Sequence, residues 1–471
     1  MGLRGGKVAV IGENCYEWIL TYFAVVNSGN VIVPLDRELP TADIKNLIDD
    51  SGAEFFVFAD SFADVATYLQ GNDASVKCYI NMSKIPELVE QGKAQNVDYE
   101  IDNTASAALL YTSGTTGMAK GVMLSHHSLA CDMVAAAQMV KIRGNNLLVL
   151  PLHHSFGFTA CVLYMMYQGS ETIINKSLKN LLDDFAKFKP NNVFLVPLFV
   201  ETFYKRIWDS AQKKGKDGLL RKLIKVSNVL LKVGIDVRRK LFKSVLQAFG
   251  ENLELMVTGG APIDNKYVQG LRDFGITTLN GYGITECSPI VSVNRNDYYR
   301  DGSAGQLLPA CDVKILEPNE NGHGEICVKG DIVMLGYYNN EQATAEAFDG
   351  EWFKTGDIGY LDSDGFLHIS GRKKNLIVLS NGKNVYPEEL EFALLNNIPY
   401  IKEAVVYANG NQIEAEVFLD AEGNPDCASR LDNDIIELNR TLAGYQNISK
   451  TVIRDTEFPK TTTKKIKRQY K

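Results

Sequence analysis

Through most of this chain, short apolar runs alternate with stretches of helical periodicity. Lys7 to Ile11, Val31 to Pro34, Phe55 to Phe58, Ala107 to Tyr111, Leu147 to Leu150 and Val193 to Val196 read as buried strands. Tyr16 to Ser28, Thr41 to Ser51 and Ser125 to Val140 carry apolar residues at the spacing of one helix face. The series continues through Leu253 to Thr258, a helix at Asn265 to Phe274, and Thr277 to Leu279. Strand and helix in turn indicate βα units and largely parallel sheets.

From about Gly305 the pattern changes to short β-runs broken by turns, at Val313 to Leu316, Gly324 to Val328, Gly359 to Leu361 and Phe366 to Ser370. Asp362-Ser363-Asp364-Gly365 is a hairpin signal, because glycine supplies positive φ and aspartate bonds its own backbone. Gly371-Arg372-Lys373-Lys374-Asn375 then forms a charged break before a final stretch that mixes helices and strands. The expectation is an α/β protein: a large N-terminal domain over 1–371, made of βα subdomains plus a small β-rich subdomain at about 305–371, and a mobile α+β domain over 372–471.

At 471 residues with 45% apolar side chains, the chain has ample core for more than one domain. A net charge of −8 argues against a general nucleic-acid binder, so anionic substrates need locally concentrated cations. Eight scattered cysteines, without a CxxC pair or nearby histidines at ligand spacing, read as reduced and mostly buried, which excludes a disulfide framework and a structural zinc site. No run reaches the ~18 apolar residues of a spanning helix, and the N-terminus lacks a signal-peptide core. The expected location is the cytoplasm, at most resting on a membrane face.

The densest chemistry lies in Leu109-Leu110-Tyr111-Thr112-Ser113-Gly114-Thr115-Thr116-Gly117-Met118-Ala119-Lys120-Gly121-Val122, where hydroxyls, glycines and one lysine fill a turn between two apolar runs. Gly114 and Gly117 let backbone amides turn inward, and the hydroxyls with Lys120 complete an anion cradle. The spacing differs from the common Gly-Lys-Ser/Thr nucleotide loop, and Gly121 to Leu124 reads as a hairpin strand where that loop has a helix.

Four further segments follow in order: Asn280-Gly281-Tyr282-Gly283-Ile284-Thr285-Glu286, Lys354-Thr355-Gly356-Asp357, Gly371-Arg372-Lys373-Lys374, and Pro459-Lys460-Thr461-Thr462-Thr463-Lys464-Lys465-Ile466-Lys467-Arg468. Together with the loop they resemble the adenylate-forming acyl-CoA synthetase family over nearly the whole chain. Val257-Thr258-Gly259-Gly260-Ala261-Pro262 and Asn381-Gly382-Lys383-Asn384-Val385-Tyr386-Pro387-Glu388-Glu389 look most like bacterial long-chain fatty acyl-CoA ligases. In such enzymes a carboxylate attacks the α-phosphate of ATP. Two anions therefore meet in a closed site, and fixed cations and hydrogen-bond donors replace water.

The resemblance implies that Thr112, Ser113, Gly114, Thr115, Thr116 and Lys120 hold the β- and γ-phosphates. Thr285 then contacts phosphate, and Glu286 supplies a hard oxygen to Mg²⁺. Tyr282 and Gly283 lie along adenine opposite Gly259, Gly260 and Ala261, while Asp357 accepts the ribose hydroxyls with Arg372 beside it. Lys465 bridges the carboxylate and α-phosphate in the adenylation transition state. His154, followed by Phe156, sits near the acyl carboxylate. A hinge at Lys374 rotates the C-terminal domain so that Asn381 and Gly382 serve thioester formation. The implied co-substrates are ATP and CoA, with fatty acid as the acid; an acyl carrier protein is the alternative acceptor. A non-catalytic nucleotide-binding relative is the other reading.

Two departures stand out. Lys464 replaces the family's glycine beside Lys465. The Lys7 to Val10 strand also comes almost at the start, where relatives place another strand and helix, so a truncated chain or an uncovered sheet edge is expected. Finally, Lys205 to Lys243 carries thirteen basic residues against three acidic ones, with apolar residues at helical spacing. It reads as basic amphipathic helix, serving as a solvated face, as a peripheral contact with anionic lipid, or as a gate for an apolar substrate. Nothing in the pattern sets the oligomeric state or the acyl chain length.

Overall fold

The computed structural model describes residues 5–72, 74–93, 99–112, 119–380, 382–460 and 466–468. Two compact units are present: one comprises the chain up to Val313 together with Val328–Phe353, the other Lys314–Cys327 with the chain from Lys354 onward. The boundary expected after residue 371 falls inside the second unit.

In the first unit, β1 (Lys7–Ile11), β2 (Val31–Pro34), β3 (Phe55–Phe58), β4 (Cys78–Asn81), β5 (Ser106–Thr112) and β6 (Lys120–Ser125) form one sheet with the two-residue strand Gly336–Tyr337. Its order is Gly336–Tyr337, β6, β5, β2, β1, β3, β4. The pairings among β1 to β5 are parallel, whereas β6 returns antiparallel from β5, and Gly336–Tyr337 adds antiparallel to β6. Because β1 has partners on both sides, it is not the uncovered edge that the short start suggested.

The flanking helices form where the local code agrees with burial. In Thr41–Ser51, Ile44 and Ile48 lie one turn apart and are buried, and Gly52 closes the helix at φ 64°. Helix His126–Met139 starts at a reciprocal Ser125–Ser128 capping box. Ile11, Val33, Phe56, Ile44, Ile48 and Leu69 share the core beneath.

A second sheet contains β7 (Asn146–Leu148), β8 (Thr172–Ile174), β9 (Asn192–Leu195), β10 (Leu255–Thr258), β11 (Thr277–Gly283), β12 (Ile290–Val293) and β13 (Gln306–Leu307), in the order β13, β12, β11, β10, β9, β7, β8. The five strands from β7 to β11 are parallel and β12 and β13 are antiparallel. Phe185, Phe203 and Phe249 meet edge to face in its core, with centroids 5.3 to 5.8 Å apart.

Beyond lie β14 (Cys311–Leu316), β15 (Gly324–Gly330), β16 (the Gly336–Tyr337 strand already described), β17 (Phe348–Asp349), β18 (Trp352–Leu361) and β19 (Leu367–Arg372). The stretch expected as one β-rich subdomain therefore lends β16 to the first sheet, and the chain passes between the units within β14, β15 and β18. The hairpin at Asp362 to Gly365 forms as expected: Gly365 has φ 77°, and the Asp362 carboxylate accepts from the Asp364 and Phe366 amides, each at 3.0 Å.

In the second unit β20 (Ile377–Val378) and β21 (Asn384–Val385) pair as a short hairpin. β22 (Ile401–Asn409), β23 (Gln412–Leu419) and β24 (Ile448–Arg454) make a three-stranded sheet packed by helices Pro387–Asn397 and Cys427–Asn439. Among the described residues, no helix is long and apolar enough to cross a membrane.

Candidate active site

Parallel strands point their carboxyl ends the same way, and loops leaving those ends form a crevice suited to nucleotides. Gly259, Gly260 and Ala261 directly follow β10, while Tyr282 and Gly283 end β11 next to it. A Cβ on Gly259 would lie 3.2 Å from the Gly281 carbonyl and 3.9 Å from Phe156, and one on Gly283 would fall 2.1 Å from the Pro289 carbonyl. Glycine is required at Gly283, where backbone passes so close, and gives a tight fit at Gly259.

The loop after β7 brings the histidine pair in. His154 precedes the short helix Ser155–Phe158, and the Ser155 hydroxyl lies 3.4 Å from that of Thr285. The rings of His153 and His154 stand 4.3 Å apart, and His153 Nε2 is 3.3 Å from Asp36 Oδ1. Burial and the neighbouring His154 push His153 down to about 3, against the pull of Asp36. His153 is thus neutral near neutrality.

Glu286 lies in the tight turn Thr285–Cys287. The Tyr337 hydroxyl donates to its Oε1 at 3.0 Å, and the Met334 amide donates to its carbonyl at 2.8 Å. Lys120 Nζ sits 4.8 Å from the centroid of the Tyr337 ring, in cation–π range. Burial, then the Glu286 carboxylate, drives the Tyr337 hydroxyl far above the ordinary phenol range, so it remains a donor. The carboxylate of Glu286 and the hydroxyls of Thr285 and Ser155 are all oxygen donors, the set that Mg²⁺ prefers.

Across the β5–β6 hairpin, Thr112 is the register partner of Lys120. Ser113, Gly114, Thr115 and Thr116 between them lie outside the described residues, as do Asn381 and Lys465.

In the second unit, Asp357 and Arg372 are register partners on β18 and β19, and Arg372 Nε meets Asp357 Oδ1 at 2.8 Å. Asp357 is buried; its amide donates to Thr355 Oγ1 at 3.0 Å, and that hydroxyl donates to the Ile326 carbonyl at 2.8 Å. Lys374 follows in the turn Lys373–Asn375, its ammonium pulled below the ordinary lysine range by burial and by the cations Arg372 and Arg468. Gly382 closes the turn between β20 and β21 at φ 76°, its amide donating to Leu379 at 2.8 Å.

Three participants had no sequence signal assigned to them: Tyr337, Ser155 and Asp36. Tyr337 had the best available cue, since Leu335-Gly336-Tyr337-Tyr338 is an apolar, aromatic run inside a turn-rich region.

Residues 1–338 match the family described as AMP-binding enzyme, and residues 374–470 match the AMP-binding enzyme C-terminal domain. The chain belongs to the AMP-binding enzyme family. It is 29% identical to a long-chain-fatty-acid–CoA ligase of Mycobacterium bovis, covering 100% of this chain and 86% of that protein. It is 28% identical to a long-chain-fatty-acid–CoA ligase of Salmonella typhimurium, covering 100% and 85%. Its fold superposes on the O-succinylbenzoate coenzyme A synthetase of Bacillus subtilis in complex with ATP and magnesium ion, with a TM-score of 0.76 and 26% identity over 98% of this chain and 88% of the other. The α/β architecture expected from the sequence is that of this family, and ATP and Mg²⁺ are the nucleotide and metal its members use.

Two measurements test the local geometry. Tyr337→Phe removes a hydrogen bond to a charged but half-buried group, and the lower end of the ~1.5–3 kcal/mol range predicts about a tenfold loss in kcat/KM for Mg·ATP; unchanged kinetics would detach Tyr337 from the site. For His153, the folded value of about 3 lies below the ordinary 6.5, so the unfolded chain takes the proton first. The stability this group contributes is complete above 6.5 and is lost as pH falls toward 3. Urea midpoints measured between about pH 7 and about pH 4 should therefore fall less steeply in His153→Gln than in the parent.

Proposed function

We propose that this AMP-binding enzyme is a fatty acyl-CoA synthetase. It joins a fatty acid to ATP, giving acyl-AMP and pyrophosphate, and then passes the acyl group to the thiol of CoA with release of AMP. The observation that carries this reading is the convergence, at the carboxyl ends of β10 and β11, of Gly259, Gly260 and Tyr282 with the oxygen donors Thr285 and Glu286. The end-to-end likeness to long-chain-fatty-acid–CoA ligases supports the acid and thiol classes.

On this reading the residues divide the electrostatic work. Thr112, Ser113, Gly114, Thr115, Thr116 and Lys120 hold the outer phosphates. Glu286, oriented by Tyr337, offers its carboxylate to Mg²⁺, which when bound neutralises phosphate charge. His154 and Phe156 border the acyl carboxylate. Asp357 accepts from the ribose hydroxyls, with Arg372 holding its carboxylate in place. Lys465 meets the charge that builds as the carboxylate oxygen attacks the α-phosphorus and the bond to pyrophosphate breaks. In the second half-reaction the thiol, having lost its proton, attacks the acyl carbonyl and AMP departs. Lys374 serves as hinge, and Asn381 and Gly382 line the thiol's approach.

A membrane-facing surface belongs to the same proposal. Leu219, Lys222, Val226, Val229 and Val233 follow one another at intervals of three and four along and just beyond helix Asp217–Lys232, and the four apolar members are 52 to 69% exposed. The opposite side, with Leu220, Leu223 and Ile224, packs on the second core. An outward stripe of apolar residues among lysines suits an anionic bilayer, from which a fatty acid can be drawn.

Pyrophosphate release across a panel of carboxylic acids tests the chemistry. Fatty acids should trigger it, CoA should convert acyl-AMP to thioester, and Lys465→Ala should abolish release while ATP still binds; a panel in which no acid triggers release would overturn the assignment. For the surface, co-sedimentation with phosphatidylglycerol vesicles should exceed that with phosphatidylcholine and fall with salt. Lys222→Glu combined with Lys225→Glu should remove the difference, and equal sedimentation on both lipids would remove the lipid role.

A further inference from the structure

Away from the nucleotide crevice, three metal-ligating side chains of different chemistry converge on the first unit's surface. His127 and Cys131 lie four residues apart on helix His126–Met139, the spacing that stacks two side chains on one face, so the expectation that no histidine stands at ligand spacing from a cysteine fails here. Asp331 reaches them from the segment that leads into β16. His127 Nε2 is 3.5 Å from Cys131 Sγ and 3.4 Å from Asp331 Oδ1, and the three ligand atoms lie within 4.8 Å of one another. Sγ is also 3.8 Å from Nδ1, so the imidazole, with 46% of its side chain exposed, has to turn about its Cβ–Cγ bond to aim one nitrogen.

Two of these separations match edges of a coordination tetrahedron. With bonds of roughly 2.3 Å to sulfur and 2.0 Å to nitrogen and oxygen, tetrahedral angles place nitrogen about 3.5 Å from sulfur and about 3.3 Å from oxygen. A thiolate, an imidazole and a carboxylate together form a borderline-soft set, which selects zinc over magnesium or calcium.

We propose that His127, Cys131 and Asp331 form a zinc site with three protein ligands and one position open to solvent. On binding, the Cys131 thiol gives its proton to water and its sulfur bonds the metal, so the site gains an ion and loses one proton. The consequence is mechanical. The Val333 and Met334 amides donate to the Gly330 and Glu286 carbonyls, and Leu335 donates to Met123, so Asp331 stands at the head of a tethered segment ending in Tyr337. A metal bond from Asp331 to helix His126–Met139 clamps that segment, and with it the hydroxyl that orients Glu286.

Cobalt(II), a spectroscopic stand-in for zinc, tests the site in the intact protein. Titration should give one equivalent carrying a thiolate-to-cobalt charge-transfer band and the visible bands of tetrahedral cobalt, all displaced by zinc. The thiolate band distinguishes this site from any oxygen site that binds magnesium. Cys131→Ala should abolish the band. His127→Ala should weaken cobalt binding roughly tenfold or more, since loss of even an outer-shell partner commonly costs roughly 10- to 100-fold. Absence of the band in the parent, its survival in Cys131→Ala, or undiminished affinity in His127→Ala would each overturn the proposal. Should a variant fail to fold, alkylation of the parent decides: bound cobalt should protect Cys131 from iodoacetamide in peptide mapping, and equal labelling with and without metal refutes the site.

Discussion

The hydrogen bond from the Tyr337 hydroxyl to the Glu286 carboxylate joins parts of the chain carried by two different sheets. Glu286 follows the last parallel strand of the second sheet, while Tyr337 sits on a two-residue strand added to the edge of the first. Lys120, at the start of β6 and beside the ring of Tyr337, completes the junction. One phenol thus sets a carboxylate and an ammonium near each other without letting them neutralise directly. That arrangement suits a site that must hold a metal and phosphates together, since each charged group keeps its capacity for a ligand of opposite sign.

The same economy explains how a protein of net charge −8 handles anions. Part of its positive charge is gathered locally. In the second unit Arg372 pairs with Asp357, and burial, then the neighbouring cations Arg372 and Arg468, hold the Lys374 ammonium below the ordinary lysine range.

What could be read without coordinates was whatever depends on near neighbours in sequence. Lys7–Ile11, Val31–Pro34, Phe55–Phe58 and Thr41–Ser51 coincide with the elements expected, since each is an apolar run or a capped helix whose signal lies inside it. β7 and β9 instead begin a residue early, at Asn146 and Asn192. Both asparagines are buried; the Asn192 amide donates to the carbonyls of Arg143 and Asn145, so there a polar residue starts a strand because distant backbone satisfies it. β16 was illegible for a related reason: two residues make a strand only when β6 is there to pair with. Tyr337 and Ser155 acquire meaning from spatial neighbours alone, whereas Tyr282, Thr285, Glu286 and Asp357 could be named because they sit in short, ordered motifs.

The two kinds of legibility correspond to two kinds of constraint. Residues that touch a nucleotide are held to fixed chemistry, so their motifs survive a change of surroundings. Residues that aim those side chains answer only to geometry: a hydroxyl can be delivered to Glu286 from any element the fold brings within 3 Å or so. Such positioning groups are therefore where related chains of one fold are free to differ. The helix His126–Met139 shows how far this reaches, since its first turn is capped by serines, its middle turns its buried Asp132 toward the Ile290 amide, and the side chains of His127 and Cys131 face Asp331. A single helix thus touches both β12, which follows the turn that carries Glu286, and the segment that carries Tyr337. Any change in its position would be felt by both members of the bond on which the crevice depends.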